Sequence, residues 1–344
     1  MSLHSGSVPA FTITDNVDLT HRNTFGVPAR AERLIEVNRT DVLGDALREI
    51  HGPLLVLGGG SNVLFTRDWP GTIVALTARG ITVADDDGES ARLRVEAGLP
   101  WDEFVHWSLA RGFAGLENLV AIPGSTGAAP IQNIGAYGSE IREWISNVET
   151  MDPVTGSMSS FDNAACRFSY RDSRFKREPD RAIITAVEFM LPRVSNPRLD
   201  YPGVREELAT MDPGAPSPTR IADAIARIRR RKLPDPRQIG NAGSFFKNPV
   251  VHAAEIAGLR AEFPSMPSWP RSDGRIKLSA AWLVDTCGFK GLCDSSAGVS
   301  STHALVLVNL GGATGMDLLR LAHRIQDAVR ARFGIVLEPE PRIV

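Results

Sequence analysis

The sequence has no apolar run approaching the roughly 18–20 residues that a membrane-spanning helix needs. Cysteine is scarce: Cys166, Cys287 and Cys293 are odd in number and never spaced C-x-x-C, which excludes a disulfide framework. Buried, reduced thiols of a cytoplasmic protein are the expectation. The seven histidines (His4, His21, His51, His106, His252, His303 and His323) form no H-x-x-x-H or H-E-x-x-H pair, so no metal centre is expected. No internal period is present, which excludes solenoids and collagen-like chains. Charge of one sign is also lacking. With 38 basic and 40 acidic residues the net charge is −2, so a nucleic-acid or membrane-surface partner is not expected. Residues 1–19 mix Ser, Thr, Asp and Pro and do not read as a signal peptide.

What is present is 344 residues, 43% of them hydrophobic, enough for two or three separate cores. Glycine (31) and proline (23) point to a loop-rich fold in which loops carry the function. Leu54-Leu55-Val56-Leu57 reads as a buried strand, with a second over 72–76 and a hairpin from 81–83 to 93–95 around Asp85-Asp86-Asp87-Gly88. Pro100 at a first helical position, followed by Asp102 and Glu103, predicts a helix to about Arg111. A clear strand spans 182–189, a loop spans 213–218, and a helix from Thr219 ends in Arg229-Arg230-Arg231-Lys232 before Leu233-Pro234. The last third predicts a helix over 280–286 and a strand over 304–310. An amphipathic helix with Leu318, Leu321, Ile325, Val329 and Phe333 on one face follows, capped by Thr314/Asp317 and closed by Gly334.

Four segments carry candidate chemistry. Gly58-Gly59-Gly60-Ser61-Asn62 follows a strand, and consecutive glycines let backbone N–H groups converge on phosphate oxygens. Val63 breaks G-x-G-x-x-G and no Lys-Ser/Thr follows, so neither a Rossmann turn nor a P-loop is indicated; a plain tight turn remains open. The aperiodic stretch 115–138 contains Pro123-Gly124-Ser125-Thr126-Gly127 and Ile131-Gln132-Asn133-Ile134-Gly135. Small residues there allow close approach of a ligand, and Gln132 and Asn133 offer donors and acceptors to a heterocycle edge. Two such segments favour a long ligand with a diphosphate in its middle. Third, Gly243-Ser244-Phe245-Phe246 places a hydroxyl in a tight, partly apolar corner. It lacks G-x-S-x-G and S-x-x-K, leaving a positioned proton donor or an inert turn hydroxyl. Fourth, the basic and aromatic residues of 166–176 suit an acidic ligand or a solvated loop.

In their order, these segments resemble the UDP-N-acetylenolpyruvoylglucosamine reductases, flavoenzymes of bacterial cell-wall precursor synthesis. The matching pieces are Asn23-Thr24-Phe25-Gly26, Leu57 through Leu64, Gly115-Leu116-Glu117-Asn118-Leu119 through Gly138, and Tyr170-Arg171-Asp172-Ser173. Lys232-Leu233-Pro234-Asp235-Pro236, 240–249 and Leu337-Glu338-Pro339-Glu340 complete the set. Each piece is weak alone; the ordered set is specific and runs from about Asn23 to the C-terminus. The resemblance implies an α+β fold: a two-part FAD-binding module of the vanillyl-alcohol-oxidase/PCMH type plus a C-terminal α+β substrate-binding domain. The expected boundaries are 1–80 and 81–230 for the two parts, 231–336 for the substrate domain, and a return of 337–344 near the first part.

It also implies roles. Non-covalent FAD would be held by Gly58, Gly59, Gly60, Ser61, Asn62, Pro123, Gly124, Gly127, Ile131, Gln132, Asn133, Ile134, Gly135 and Arg342, with NADPH as co-substrate. The substrate, UDP-N-acetylglucosamine enolpyruvate, would be gripped by Tyr137, Tyr201, Arg229, Lys232 and Asn248. Ser244 would donate a proton, and Arg171 and Glu340 would flank the substrate carboxylate. A monomer is expected. Two departures stand out: Ala128 where some relatives carry Ser, and an atypical 291–298 stretch. A sugar or alcohol oxidase with tethered flavin is the rival enzyme, but neither glycine-rich loop contains the His or Cys such tethering uses. A non-catalytic flavin- or UDP-sugar-binding protein is the rival outside enzymes.

Overall fold

The computed structural model of the chain describes residues 10–211 and 214–344. The reading of the first nine residues, and part of the loop expected over 213–218, lie outside the described residues. Two units are distinguished. The first comprises the described residues through Val17, Ala31–Gly59 and Trp69–Ile228; the second comprises Asp18–Arg30, Gly60–Asp68 and Arg229–Val344.

In the first unit, Leu54–Val56 and Arg30–Val37 both run parallel to Trp69–Leu76, and Phe11–Asp18 edges this four-stranded sheet. Parallel neighbours need a crossover. The link between the strands at 37 and 54 contains the short helix Leu43–Leu47, which buries Leu43, Ala46 and Leu47 against Ile35, Val37 and Val74. A second, antiparallel sheet has the order Met158–Asp162, Ile145–Met151, Ile183–Pro192, Ser90–Glu96, Ile81–Asp86. Its apolar face receives the helices Trp101–Ala110 and Pro218–Lys232, whose Trp101, Phe104, Ile221, Ile225 and Ile228 enter one core with Val95, Val187 and Phe189. The helix after Pro100 starts one residue later than its sequence suggests. Pro100 is the N-cap, in extended backbone, and its carbonyl accepts the first helical bond from Phe104. The 115–138 stretch contains two 3-10 turns, Glu117–Leu119 and Thr126–Ala128, and a tight hairpin of Gly135–Ala136 with Ser139–Glu140.

The second unit holds two small antiparallel sheets: Val250–His252, Arg275–Leu278, Ser268–Pro270; and Cys293–Asp294, Ala297–Val299, Leu307–Asn309. The strand expected over 304–310 is shorter because Leu305 and Val306 pair instead with the Ser244–Phe245 backbone. The helix Gly315–Phe333 has the expected capping box at Thr314/Asp317, and Gly334 ends it with φ +70. Residues 18–30 and 60–68 group with the last third of the chain rather than with the first eighty residues. The cause is backbone pairing: Arg342–Ile343 run parallel to Val63–Leu64, Asn309 Nδ2 donates to Phe25 O at 2.9 Å, and Asn241 N–H donates to Thr24 O at 2.9 Å.

All three cysteines are free, but they are not all buried. Cys166 is enclosed, and burial pushes its thiol up to about 12; Cys293 lies exposed in a two-residue strand beside a turn. A thiolate, not a thiol, attacks alkylating reagents. Iodoacetamide at neutral pH should therefore modify Cys293 first and leave Cys166 intact until the chain is unfolded, as read by peptide mass. Early labelling of Cys166 would show that its enclosure is wrong.

Candidate functional site

The first unit builds a glycine cradle. The strand Leu54–Val56 ends as Leu57 N–H donates to Val74 O at 2.9 Å, which brings Gly58 and Gly59 against the 124–128 turn. A Cβ on Gly58 would lie 2.7 Å from Ser125 Oγ and 3.6 Å from Ala128 Cβ, and one on Gly59 would lie 3.1 Å from Gly124 Cα. The turn itself is strapped down: Trp101 N–H donates to Gly124 O at 3.0 Å, Thr126 N–H to Leu99 O at 2.8 Å and Gly127 N–H to Ala97 O at 2.9 Å. A Cβ on Gly127 would strike Ala97 Cβ at 2.5 Å. Pro123 precedes this turn. Gly59 and Gly124 meet backbone to backbone, with Ser125 Oγ against Gly58, and this seam of bare backbone lets a pyrophosphate such as that of FAD, whose oxygens need close backbone donors, approach along it. The residues present thus fit the cofactor that the resemblance implies. Ser125 supplies a hydroxyl next to Ala128, so an oxygen is present in the turn despite the alanine.

Beyond the turn, Ile131 is exposed and Ile134 buried, with half-buried Gln132 near them. Asn133 corrects the sequence reading. Its two amide hydrogens go to Glu140 Oε2 (2.9 Å) and Ser169 O (3.0 Å), and its Oδ1 accepts from Arg142 N–H at 3.0 Å. The side chain is fully buried and holds the loop together, so it has no hydrogen left for a heterocycle edge. Gly135 carries the next contact: its carbonyl accepts from Arg171 Nη2, and a Cβ there would press on Arg171 Nη1 at 2.9 Å. The Arg171 guanidinium also lies over the Tyr170 ring, 5.4 Å from its centroid. Tyr137 and Tyr201 meet edge to face at 5.0 Å, a pairing that sequence separation hides.

Two polar residues of this unit were quoted in the sequence only as parts of a motif. Glu117 is buried, accepts from Gly115 N–H, and burial raises its pKa above the usual carboxylate value. Asn118, also buried, donates to Tyr137 O at 2.8 Å and to Arg198 O at 3.0 Å. A polar pair inside an otherwise apolar turn was the available signal.

In the second unit, residues 244–247 run between two neighbours. Phe245 N–H donates to Leu305 O at 2.8 Å, Phe245 O accepts from Glu340 N–H at 2.8 Å, and Lys247 N–H donates to Glu338 O at 2.9 Å. Glu340, far from Ser244 in sequence, is thereby paired with Phe245, the residue after Ser244, and Phe245 and Phe246 are buried. The turn before Ser244 is set by Asn241, whose Nδ2 donates to Pro234 O and Ile239 O while Oδ1 accepts from Gly243 N–H at 3.0 Å. Asn248 Oδ1 accepts from Ala280 N–H at 2.9 Å, which fixes the amide orientation and leaves Nδ2 as its donor. Lys232 is exposed at the end of its helix, and its carbonyl accepts from Thr302 Oγ1 at 2.9 Å; Arg229 is half-buried one turn earlier. His303 was not singled out by any spacing. Burial, helped by Lys232 and Lys290, lowers its pKa, so the ring is neutral at pH 7, and Nδ1 accepts from Leu305 N–H at 3.2 Å. Gly60 has φ +62 with its Cβ position 2.0 Å from Arg22 O, so no side chain fits there. Next to Gly60 and Ser61, Asn62 Nδ2 donates to Glu340 O at 3.3 Å, and its carbonyl accepts from Arg342 N–H at 3.0 Å. No His, Cys, Asp and Glu grouping among the described residues could hold a metal ion.

Comparison with known proteins gives a consistent result. Residues 235–344 match the family described as UDP-N-acetylenolpyruvoylglucosamine reductase, C-terminal domain, and residues 32–161 match an FAD binding domain. The chain is 47% identical to the UDP-N-acetylenolpyruvoylglucosamine reductase of Pseudomonas aeruginosa, over 96% of this chain and 98% of that protein. Against the enzyme of the same name from Xanthomonas euvesicatoria it is 48% identical, over 100% of this chain and 98% of the other. The crystal structure of the Thermus caldophilus reductase superimposes with a TM-score of 0.69 at 25% identity, covering 97% of this chain and 99% of that one.

Proposed function

Since the chain belongs to the UDP-N-acetylenolpyruvoylglucosamine reductase family, we infer that it reduces the enolpyruvyl group of UDP-N-acetylglucosamine enolpyruvate to UDP-N-acetylmuramate, with NADPH as reductant. The fold is α+β and the enzyme is a flavoprotein oxidoreductase that uses FAD. The observation that supports the mechanistic reading is the backbone pairing of Glu340 with Phe245, the residue after Ser244.

When bound, FAD would supply the hydride chemistry between NADPH and the enol ether of the substrate. The chain's own residues do the rest. Ser244 donates a proton from Oγ to the carbon next to the substrate carboxylate. A hydroxyl is a weak acid, but the developing carbanion is a strong base and the turn fixed by Asn241 holds the donor in place. Arg171 provides a charge-assisted donor to the carboxylate oxygens that gain charge in the transition state. Glu340 flanks the same carboxylate. The Nδ2 of Asn248, together with Arg229, Lys232, Tyr137 and Tyr201, holds the UDP diphosphate. FAD would be held by Gly58, Gly59, Gly60, Ser61, Asn62, Pro123, Gly124, Gly127, Ile131, Gln132, Ile134, Gly135 and Arg342, with Asn133 as their internal brace. We further propose that it acts in the cytoplasm, in cell-wall precursor synthesis, as a monomer; its three free thiols fit a reducing compartment.

The test follows flavin absorbance of the purified protein without oxygen. NADPH should bleach it, and UDP-N-acetylglucosamine enolpyruvate added afterwards should restore it. Bleaching without recovery would overturn the substrate assignment, and a protein that never takes up FAD would overturn the whole reading.

A further inference from the structure

Residues 193–203, between the strand Ile183–Pro192 and the helix Val204–Ala209, contain no helix or strand and carry Tyr201. A stretch of this kind left loose would have to be ordered at each binding event, at an entropic cost. Here it is fastened. Buried Asn118 splits its amide between Tyr137 O (2.8 Å) and Arg198 O (3.0 Å). The Arg198 guanidinium donates to Gly138 O at 2.8 Å and meets the Glu143 carboxylate as a two-pronged fork, with Nη1 to Oε1 at 3.0 Å. Glu143 Oε1 is itself held by Glu140 N–H at 2.8 Å. An exposed ion pair alone contributes little, but a forked pair with a fixed carboxylate and an added carbonyl acceptor defines one geometry. The outcome is a half-exposed Tyr201 (45% accessible) standing edge-on to Tyr137 at 5.0 Å.

We propose that Arg198, working with Asn118 and Glu143, is a positioning residue that holds Tyr201 beside Tyr137 ready to receive the UDP diphosphate. The proposal rests on the reading of Tyr137 and Tyr201 as substrate-holding residues. Arg198 touches neither substrate nor cofactor; it acts through the backbone that bears Tyr201.

The experiment measures KM for the UDP substrate, kcat, and the rate of flavin reduction by NADPH in four variants of the full FAD-loaded enzyme. Arg198→Met should raise KM about tenfold through lost pre-organisation, with kcat and NADPH-driven reduction unchanged. Glu143→Gln, which keeps an acceptor for Glu140, should raise KM less. Tyr201→Ala should raise KM at least as much as Arg198→Met, and adding Arg198→Met to it should have no further effect, because both changes act at one place. Additive effects in the double variant, or equal losses of KM, thermal stability and FAD retention in Arg198→Met, would overturn the positioning role. An unchanged KM in Arg198→Met with a raised KM in Tyr201→Ala would overturn the proposal and leave the substrate role of Tyr201 standing. An unchanged KM in Tyr201→Ala would overturn both.

Discussion

Ser244→Ala should leave NADPH-driven bleaching of the flavin at the wild-type rate and slow the substrate-driven return of absorbance by roughly 10²–10⁴-fold, the span a positioned general acid contributes. The separation is expected because the substitution is nearly silent structurally. The Ser244 backbone is held by its bridge to Val306 and by the flanking Phe245 bonds to Leu305 and Glu340, none of which uses Oγ. Phe245 and Phe246, each 1% accessible, keep the turn in register. Removing one oxygen therefore removes the proposed proton source and leaves the pairing of Phe245 with Glu340 in place. Ser244→Cys retains a donor and should recover part of the lost rate. If Ser244→Ala restores absorbance as fast as wild type, Ser244 is an inert turn hydroxyl. If both half-reactions slow equally, its role is in holding the fold of the site.

Gly59→Val should weaken FAD binding by at least about 100-fold, about 2.8 kcal/mol at 1.4 kcal/mol per tenfold. Its Cβ position is already 3.1 Å from Gly124 Cα, which is backbone and cannot swing aside, and two further methyls would fill the cradle itself. Gly124 is tied in turn to Trp101 N–H, so the turn cannot retreat without breaking that bond. Two readouts separate a blocked cradle from a damaged fold. Titration of the apoprotein by flavin fluorescence gives the affinity directly. Thermal melting gives the linkage: a ligand that binds only the native state raises Tm in proportion to RT ln(1 + [L]/Kd). The variant should melt near the wild-type apoprotein and lose the FAD-induced rise. Gly44→Ala, at a helical glycine with nothing within 4 Å of its Cβ position, should keep both. Wild-type affinity in Gly59→Val would mean that the cofactor does not lie against the seam of Gly59 and Gly124.

Much of the local structure was legible in the residues alone. The strand before Gly58, the hairpin around Gly88, the helix stopped by Leu233-Pro234 and the helix capped by Thr314 and closed by Gly334 all declare themselves within a few neighbours. Period, cap and breaker are properties of adjacent residues, so they survive without tertiary context. The ordered motifs carried the family as well, since each is a short contiguous string. Less legible was which member of a motif would face a ligand. Gln132 and Asn133 look alike in sequence, yet Asn133 is consumed by Glu140, Ser169 and Arg142.

By itself, then, the sequence determined several of the secondary elements, the two glycine-rich segments and the reductase family. Only the tertiary structure decided that Gly58 and Gly59 face Ser125 and Gly124, that Glu340 pairs with Phe245 next to Ser244, and that Arg198 fastens the Tyr201 segment. It also decided that residues 18–30 and 60–68 belong with the C-terminal third. The reason is physical: these pairings are set by hydrogen bonds and close contacts between segments far apart in sequence. Their partners are chosen by the register of whole strands and turns, a quantity that no local pattern encodes.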